Sequence, residues 1–246
     1  MAVLQSVAEN VSFVLFFLVI VAAFLIVSVL FERVSRRQQG GTERILSTRK
    51  IAVIGVFSAI SGILFCLDFP VFFAPSFYKL DLSELPALIA AFAYGPVSGV
   101  MIEFIKILIK LCIKGTSTAF VGELANFVIG ASFILPASIL YHLKKSRGMA
   151  ILSCVVGTVV IACFGAWFNA FYLLPAFSAL YGMPMDAIIG MGNSINPSIT
   201  DVTSFVILAV APLNFVKGAV DSVITILIYK RLSPILKATN KKKQAD

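Results

Sequence analysis

The sequence is short of charge and of reactive side chains. Asp, Glu, Lys and Arg make up only 13% of its 246 residues, about half the share a soluble domain carries, which excludes an ordinary water-exposed surface. There is a single histidine, His142, next to Lys144 and Lys145 at a predicted helix end, where it reads as a headgroup-level residue and not as a base or ligand. The four cysteines, Cys66, Cys112, Cys154 and Cys163, all lie in apolar runs without CxxC spacing. They read as small buried hydrophobes, which excludes a disulfide frame or a cysteine metal site. No GxxxxGK[ST] loop occurs, so the chain does not bind ATP through a P-loop. HExxH, GxSxG and metal-ligand clusters are absent too, and the twelve acidic residues are scattered, with no catalytic pair among them. No second half repeats the first, which argues against an inverted-repeat secondary transporter. These absences describe a binder without a cofactor more readily than an enzyme.

What is present is apolar. Hydrophobic residues form 59% of the chain, 22 of them Phe, and the mean hydropathy is +1.00, so the chain is an all-α integral membrane protein. Seven spans are predicted, each resting on the roughly 20 apolar residues a bilayer requires. An extra N-terminal helix covers Val11–Phe31. Six core spans follow: Ile51–Leu67, Leu82–Tyr94, Val97–Ile113, Phe120–Tyr141, Met149–Leu174 and Val202–Tyr229. The second core span is too short to cross lipid and is expected to begin or end inside protein. The chain thus divides into an N-terminal helix (1–32), a basic linker (33–50), a six-helix membrane domain (51–236) and a basic tail (237–246).

The net charge is +8, but the basic residues flank apolar spans, so they report membrane topology and not a nucleic-acid partner. Fifteen of the twenty lysines and arginines fall in the linker, in the 142–148 loop and in the segment after Tyr229. Seven spans place all three on one side, the cytoplasm, and leave only Lys79 and Lys114 opposite. The expectation is a multi-pass cell-membrane protein with its N-terminus outside and its C-terminus in the cytoplasm. The N-terminal helix lacks a basic n-region and a small-residue cleavage site, so it reads as an anchor and not a signal peptide. The polar linker "RRQQGGTER" behind it predicts a helix only loosely tied to the rest.

Three spans hold polar groups that lipid disfavours by at least about 2.5–3.5 kcal/mol for an ionised side chain at mid-bilayer. The last carries Asn214, Lys217 and Asp221 at offsets that share one helix face, just after Pro212, which frees the Leu208 carbonyl and predicts a kink. Two readings fit: a ligand pocket, or a structural Lys217–Asp221 pair at i, i+4. The third core span carries Glu103, Lys106, Lys110 and Lys114 as a stripe, and the fourth opens with Glu123 and Asn126. Internal neutralisation accounts for these as Glu103 with Lys106 and Glu123 with Lys110 or Lys114; a charged lining of a ligand route is the alternative. Asn169 in "AWFNAFYLLP" reads as interhelical glue or as a polar contact at the depth of Asn214. The loop "DFPVFFAPSFYKLDLSELP" reads as an aromatic belt or as a lid over a planar ring, and the 175–201 loop could complete such a lid. In the first core span, Gly55 and Ala59, and Ser58 and Gly62, are spaced for close helix packing, internal or with another subunit.

The motifs "KLDLSELPALIAAFAYGPVSGV", "IEFIKILI", "GELANF", "LPAFSALYGMP", "INPSI" and "LNFVKG", in this order, resemble the substrate-binding S component of an energy-coupling factor (ECF) transporter, most closely the riboflavin-specific kind, over about residues 50–236. The resemblance implies a six-helix ECF S-component bundle, here preceded by one extra helix, with riboflavin as transported ligand near the outer face. It implies that Asn214 and Lys217, matching N-x-x-K, contact the ligand together with Asn169. It also implies that the lid segment Tyr78–Ser83 contributes Tyr78, Leu80 and Asp81. Glu103, Lys106, Lys110, Glu123 and Asp221 would then form a supporting charge network. Gly55, Ala59 and Gly62 would dock a transmembrane coupling subunit that works with two ATPase subunits, and membrane lipid would surround the whole. The chain departs from the pattern in its extra helix and in Phe177, which stands where a tyrosine is expected. An S component for another vitamin and a free-standing ion-coupled transporter remain the alternatives.

Overall fold

The computed structural model describes residues 11–38, 45–116 and 118–237, with side chains described as far as residue 228 in the last helix. Residues 1–10 of the N-terminal segment, Arg44 in the basic linker and the tail lysines Lys241, Lys242 and Lys243 lie outside the described residues. Among the described residues the helices are, in chain order, α1 (Val11–Gln38), α2 (Thr48–Cys66), α3 (Glu84–Tyr94), α4 (Pro96–Lys114), α5 (Val121–Leu143), α6 (Arg147–Phe168), α7 (Leu174–Tyr181), α8 (Met185–Asn193), α9 (Val202–Phe205) and α10 (Ala211–Lys237). A π-helical turn, Asn169–Leu173, joins α6 to α7, and a second, Val206–Val210, joins α9 to α10. Five continuous helical stretches are long and apolar enough to cross a membrane: Val11–Arg37, Thr48–Cys66, Val121–Leu143, Arg147–Tyr181 and Val202–Ile228. The 19 residues of α4 match these in length but carry Glu103, Lys106, Lys110 and Lys114. The molecule is an all-α membrane bundle.

Helix starts are written locally. Ser47 caps α2 by accepting the Lys50 amide, and Ser146 caps α6 by accepting that of Met149, each satisfying a donor the first turn leaves orphaned. Asp201 opens α9 in a reciprocal capping box with Ser204. Between α3 and α4 the chain turns at Gly95, whose φ of 100° suits glycine alone, and restarts at Pro96 in the first turn. The kink expected at Pro212 takes the form of a π turn: Ala211 donates to the Val206 carbonyl, five residues back. Pro175 is preceded by the same device, with Leu174 donating to Asn169. Each proline lacks the N–H that would continue the ordinary ladder, and a widened turn absorbs the gap.

At 11 residues α3 is too short to span lipid, and it lies inside protein as expected. Ala87, Leu88, Ala90 and Ala91 are fully buried, with α3 packed among α2, α4, α5 and α10. Backbone that cannot satisfy itself across a bilayer is tolerated where protein surrounds it.

Four expectations change. The N-terminal helix runs on to Gln38 and is firmly packed: Phe17 and Val21 are buried, and Phe17 meets Phe104 and Phe127 edge-on. The 175–201 segment is largely helical, because Pro184 and Gly182 end one short helix and start the next instead of marking an irregular loop. The 68–81 loop closes on a two-residue antiparallel ribbon, Phe69–Pro70 (β1) with Lys79–Leu80 (β2). The small-residue face of α2 is two faces. Gly55 and Ala59 are exposed, whereas Gly62 is buried against Ile109 of α4, where an added Cβ would lie 2.6 Å from that side chain. Gly62 therefore serves internal packing and is removed from the docking surface.

Gly62→Leu is expected to destabilise the bundle by about 1–3 kcal/mol, the usual cost of overpacking, read as a lower midpoint of thermal unfolding in detergent. Combining it with Ile109→Ala should recover part of the loss.

Candidate ligand-binding site

A cavity of about 210 Å³ lies between the 68–81 loop, the ends of α4 and α5, the first π turn, α7 and α10. One wall is aromatic. Phe77 packs on Tyr78 with ring centroids 4.7 Å apart and on Phe177 at 6.1 Å, and Phe177 stacks on Tyr181. The ribbon and the short helix α7 hold these rings in place, and the apolar faces of Leu173, Ile129 and Leu213 continue the lining.

The facing wall is made of amides. Asn169 sits at the start of the first π turn, is buried, donates to the Gly165 carbonyl at 2.7 Å and accepts the Tyr78 hydroxyl at 2.6 Å. Asn214, one turn into α10, donates to the Val210 carbonyl at 3.1 Å. Gly165 admits it: a Cβ there would stand 2.5 Å from Asn214 Nδ2. The two asparagines are thus neighbours across a glycine, and both border the cavity.

The floor is ionic. Lys217, 7% exposed, sends its ammonium to Asp81 Oδ2 at 3.0 Å and to Glu84 Oε2 at 2.8 Å. Glu84 Oε1 meets Lys106 Nζ at 2.9 Å, and Lys106 also pairs with Glu103 at 2.7 Å and donates to Ser83 Oγ at 2.8 Å. Asp81 takes the Ser83 backbone amide at 2.9 Å, which sets the turn into α3. Glu84 therefore bridges two buried ammoniums. Such charges are expensive to remove from water and persist only when paired and hydrogen-bonded.

A second pair stands at the rim. Lys110 pairs with Glu123, whose other oxygen accepts the hydroxyls of Thr116 and Thr118 at 3.1 Å each. Lys106 and Lys110 also lie over the Phe65 ring, at 5.4 and 5.9 Å. Outside the spans, Lys79 and Lys114 reach Asp68 at 3.0 and 3.2 Å. Burial opposes ionisation of Asp68, but the hydrogen bonds and charges of the two lysines outweigh it and hold its carboxyl below the ordinary carboxylate range.

Of the expected site residues, Tyr78, Asp81, Asn169, Asn214, Lys217, Lys110 and Glu123 all border the cavity. Leu80 does not. It is buried in β2, paired with Phe69, and shapes the ribbon instead of the wall. Glu103 and Lys106 lie behind the wall. The i, i+4 pairing of Lys217 with Asp221 is not formed: Lys217 takes its partners from the loop and α3, and neither oxygen of the buried Asp221 has a hydrogen-bond partner among the described residues. The residue that sequence reading left out of the site is Glu84. Its signal was a carboxylate in the first turn of an otherwise apolar helix.

A cavity with one aromatic wall, one amide wall and an ion-paired floor belongs to a membrane-embedded binder of a small molecule. The chain is a member of the family of ECF transporter substrate-specific components, whose model matches residues 49–229, and is accordingly a transporter subunit and not an enzyme. It is 33% identical to the riboflavin transporter RibU of Staphylococcus aureus (strain TCH60) over 77% of this chain and 93% of that protein. It is 31% identical to the riboflavin transporter FmnP of Bacillus subtilis (strain 168) over 77% of this chain and 94% of that one. A solved S component of a bacterial ECF transporter superposes with a TM-score of 0.59 at 34% identity, covering 76% of this chain and 97% of the other.

Glu84→Ala should destabilise the protein by about 3–5 kcal/mol, because it breaks a buried ionic bridge and leaves each of two buried ammoniums with a single acidic partner. Glu84→Gln, which keeps the shape, should cost less. Thermal unfolding of the purified variants checks the order.

Proposed function

We propose that this chain captures riboflavin from the outer side of the cell membrane for ATP-driven uptake. The observation that carries the reading is the convergence of Lys217, Asn214, Asn169 and Tyr78 on one cavity walled by Phe77 and Phe177. Isoalloxazine is flat and largely apolar with a polar edge, and the ribityl chain carries hydroxyls. The aromatic wall suits the ring. An ammonium has three N–H donors; Lys217 donates one to Asp81 and pairs by charge with Glu84, which leaves donor capacity for an acceptor on the ligand. Asn169 and Asn214 supply further polar contacts. A site built on such bonds rejects analogues that lack them, since its own buried groups would be left unpaired. Similarity to proteins named riboflavin transporters supports this ligand over another vitamin.

The cavity is smaller than the 300–1,000 Å³ typical of small-molecule sites, and the Tyr78 hydroxyl occupies the acceptor of Asn169. Ligand arrival therefore draws Tyr78 and the 68–81 ribbon outward, and their return covers the ring. In this reading Asp81 positions Lys217, and Glu103, Lys106, Lys110 and Glu123 keep the surrounding helices neutral and dry.

The basic residues toward the C-terminal ends of α1 and α10 and in the loop after α5 favour an N-terminus outside and a C-terminus in the cytoplasm. The exposed Gly55 and Ala59 of α2 then offer a close-packing face to a transmembrane coupling subunit, which two ATPase subunits drive.

Purified protein should be yellow and should quench added flavin fluorescence; colourless protein that leaves flavin emission unchanged would overturn the ligand. Asn214→Ala and Lys217→Ala should each weaken riboflavin binding by about 1–3 kcal/mol in a fluorescence titration. Ala59→Leu should retain riboflavin binding yet fail to pull down the coupling subunit, and intact assembly would remove that face from the docking surface.

A further inference from the structure

The family match begins at residue 49, after α1, yet α1 is fixed to the matched core by a built-in clamp. Near its arginine-rich end Glu32 is 5% exposed. Both its carboxylate oxygens accept from Lys50 Nζ, each at 2.8 Å, and Oε1 also accepts the Val97 amide at 3.0 Å. Arg36, one turn on, stands 3.6 Å from the same carboxylate. Lys50 lies in the first turn of α2 and Val97 in the first turn of α4, so one side chain from outside the family segment ties together the starts of two core helices. The core makes room for it: the Glu32 carboxylate lies where a side chain at Gly95 would have to go. Toward the other end of α1, Phe17 packs edge-on to Phe127 of α5 at 5.8 Å and Phe16 meets Tyr172 of the first π turn at 6.4 Å, and at mid-helix Phe24 also packs edge-on to Phe127, at 5.6 Å. The helix is therefore held at both ends, by a desolvated ion pair with a helix amide at one and by interlocked rings at the other.

We propose that α1 is a permanent seventh member of the binding unit, clamped by Glu32 across the starts of α2 and α4, and that it travels with the six-helix core instead of parting from it while ligand is taken up. Two consequences are specific to this arrangement. The α4–α5 face is occupied from within the chain, so a coupling subunit meets the opposite side, where α2 exposes Gly55 and Ala59. In addition, Lys50 is spent on Glu32 and is not available to lipid phosphate or to a partner's carboxylate.

The uptake half of the proposal rests on the riboflavin reading above; the clamp does not, and the tests separate them. Thermal unfolding of full-length Glu32→Gln, Lys50→Met and the double variant reads the clamp. Each single substitution should lower the midpoint, and the double should lose no more than the worse single. Additive losses, or no loss from either, would overturn the clamp whatever the ligand is. For the uptake half, Phe16→Cys and Tyr172→Cys are joined by a short bifunctional thiol reagent in cells carrying the whole transporter, with each single-cysteine variant as control for the four native cysteines. The joined protein should take up riboflavin as fast as the unjoined one. Joined protein that still binds riboflavin but no longer delivers it would show that α1 has to leave, and would end the proposal. If the unjoined protein neither binds nor imports riboflavin, the ligand assignment fails, and the clamp is judged by the unfolding series alone.

Discussion

The bundle depends on one carboxylate. Glu84 opens α3 inside a membrane protein and holds Lys106 of α4 with one oxygen and Lys217 of α10 with the other. Without it, two ammoniums would face each other across apolar side chains with Asp81 and Glu103 as their remaining partners. With it, three helices and the end of the 68–81 loop are pinned at a single point. The polar wall of the cavity is therefore a by-product of how the core neutralises itself. Lys217 is held rigid by its two acidic partners and is presented to the cavity already desolvated, so a ligand that meets it does not have to order a long side chain or strip its water.

The floor and the roof of the site are held in different ways. The floor is fully buried and bonded to secondary structure. The roof is a two-residue ribbon, an exposed aromatic tip with Phe72 at 91% exposure, and a salt-bridge cluster around Asp68 that reaches solvent. Short strands and contacts that reach solvent are the marks of a segment that opens at lower cost, whereas the floor is held by buried ion pairs among three helices.

Much of this was legible in the residues. The short apolar run after Ser83 had to lie within protein, and α3 does. The stripe of Glu103, Lys106 and Lys110 followed by Glu123 foretold two local pairings, because residues three apart on one helix, or on neighbouring helices joined by a short turn, can reach one another. Both pairs form. What could not be read was long-range choice. Lys217 had an acid available four residues away in Asp221, yet it bonds Asp81, 136 residues distant in sequence, because helix spacing says which groups are near but not which way a flexible lysine turns once acids from another element face it. The helical nature of 175–201 was hidden by its prolines and glycines, which mark helix ends as readily as loops. The firm seat of α1 was hidden because its clamp needs Gly95, a residue whose role shows only in three dimensions.

The two π turns carry a consequence for how relatives of this chain are aligned. Each takes in one residue more than an ordinary α turn, so a residue gained or lost at that point can be absorbed within the turn while the helix beyond keeps its facing. A homologue one residue shorter between Val206 and Val210 could therefore carry a plain α turn there and still aim its counterparts of Asn214 and Lys217 at the cavity, so a one-residue gap in this segment does not by itself speak against a shared site.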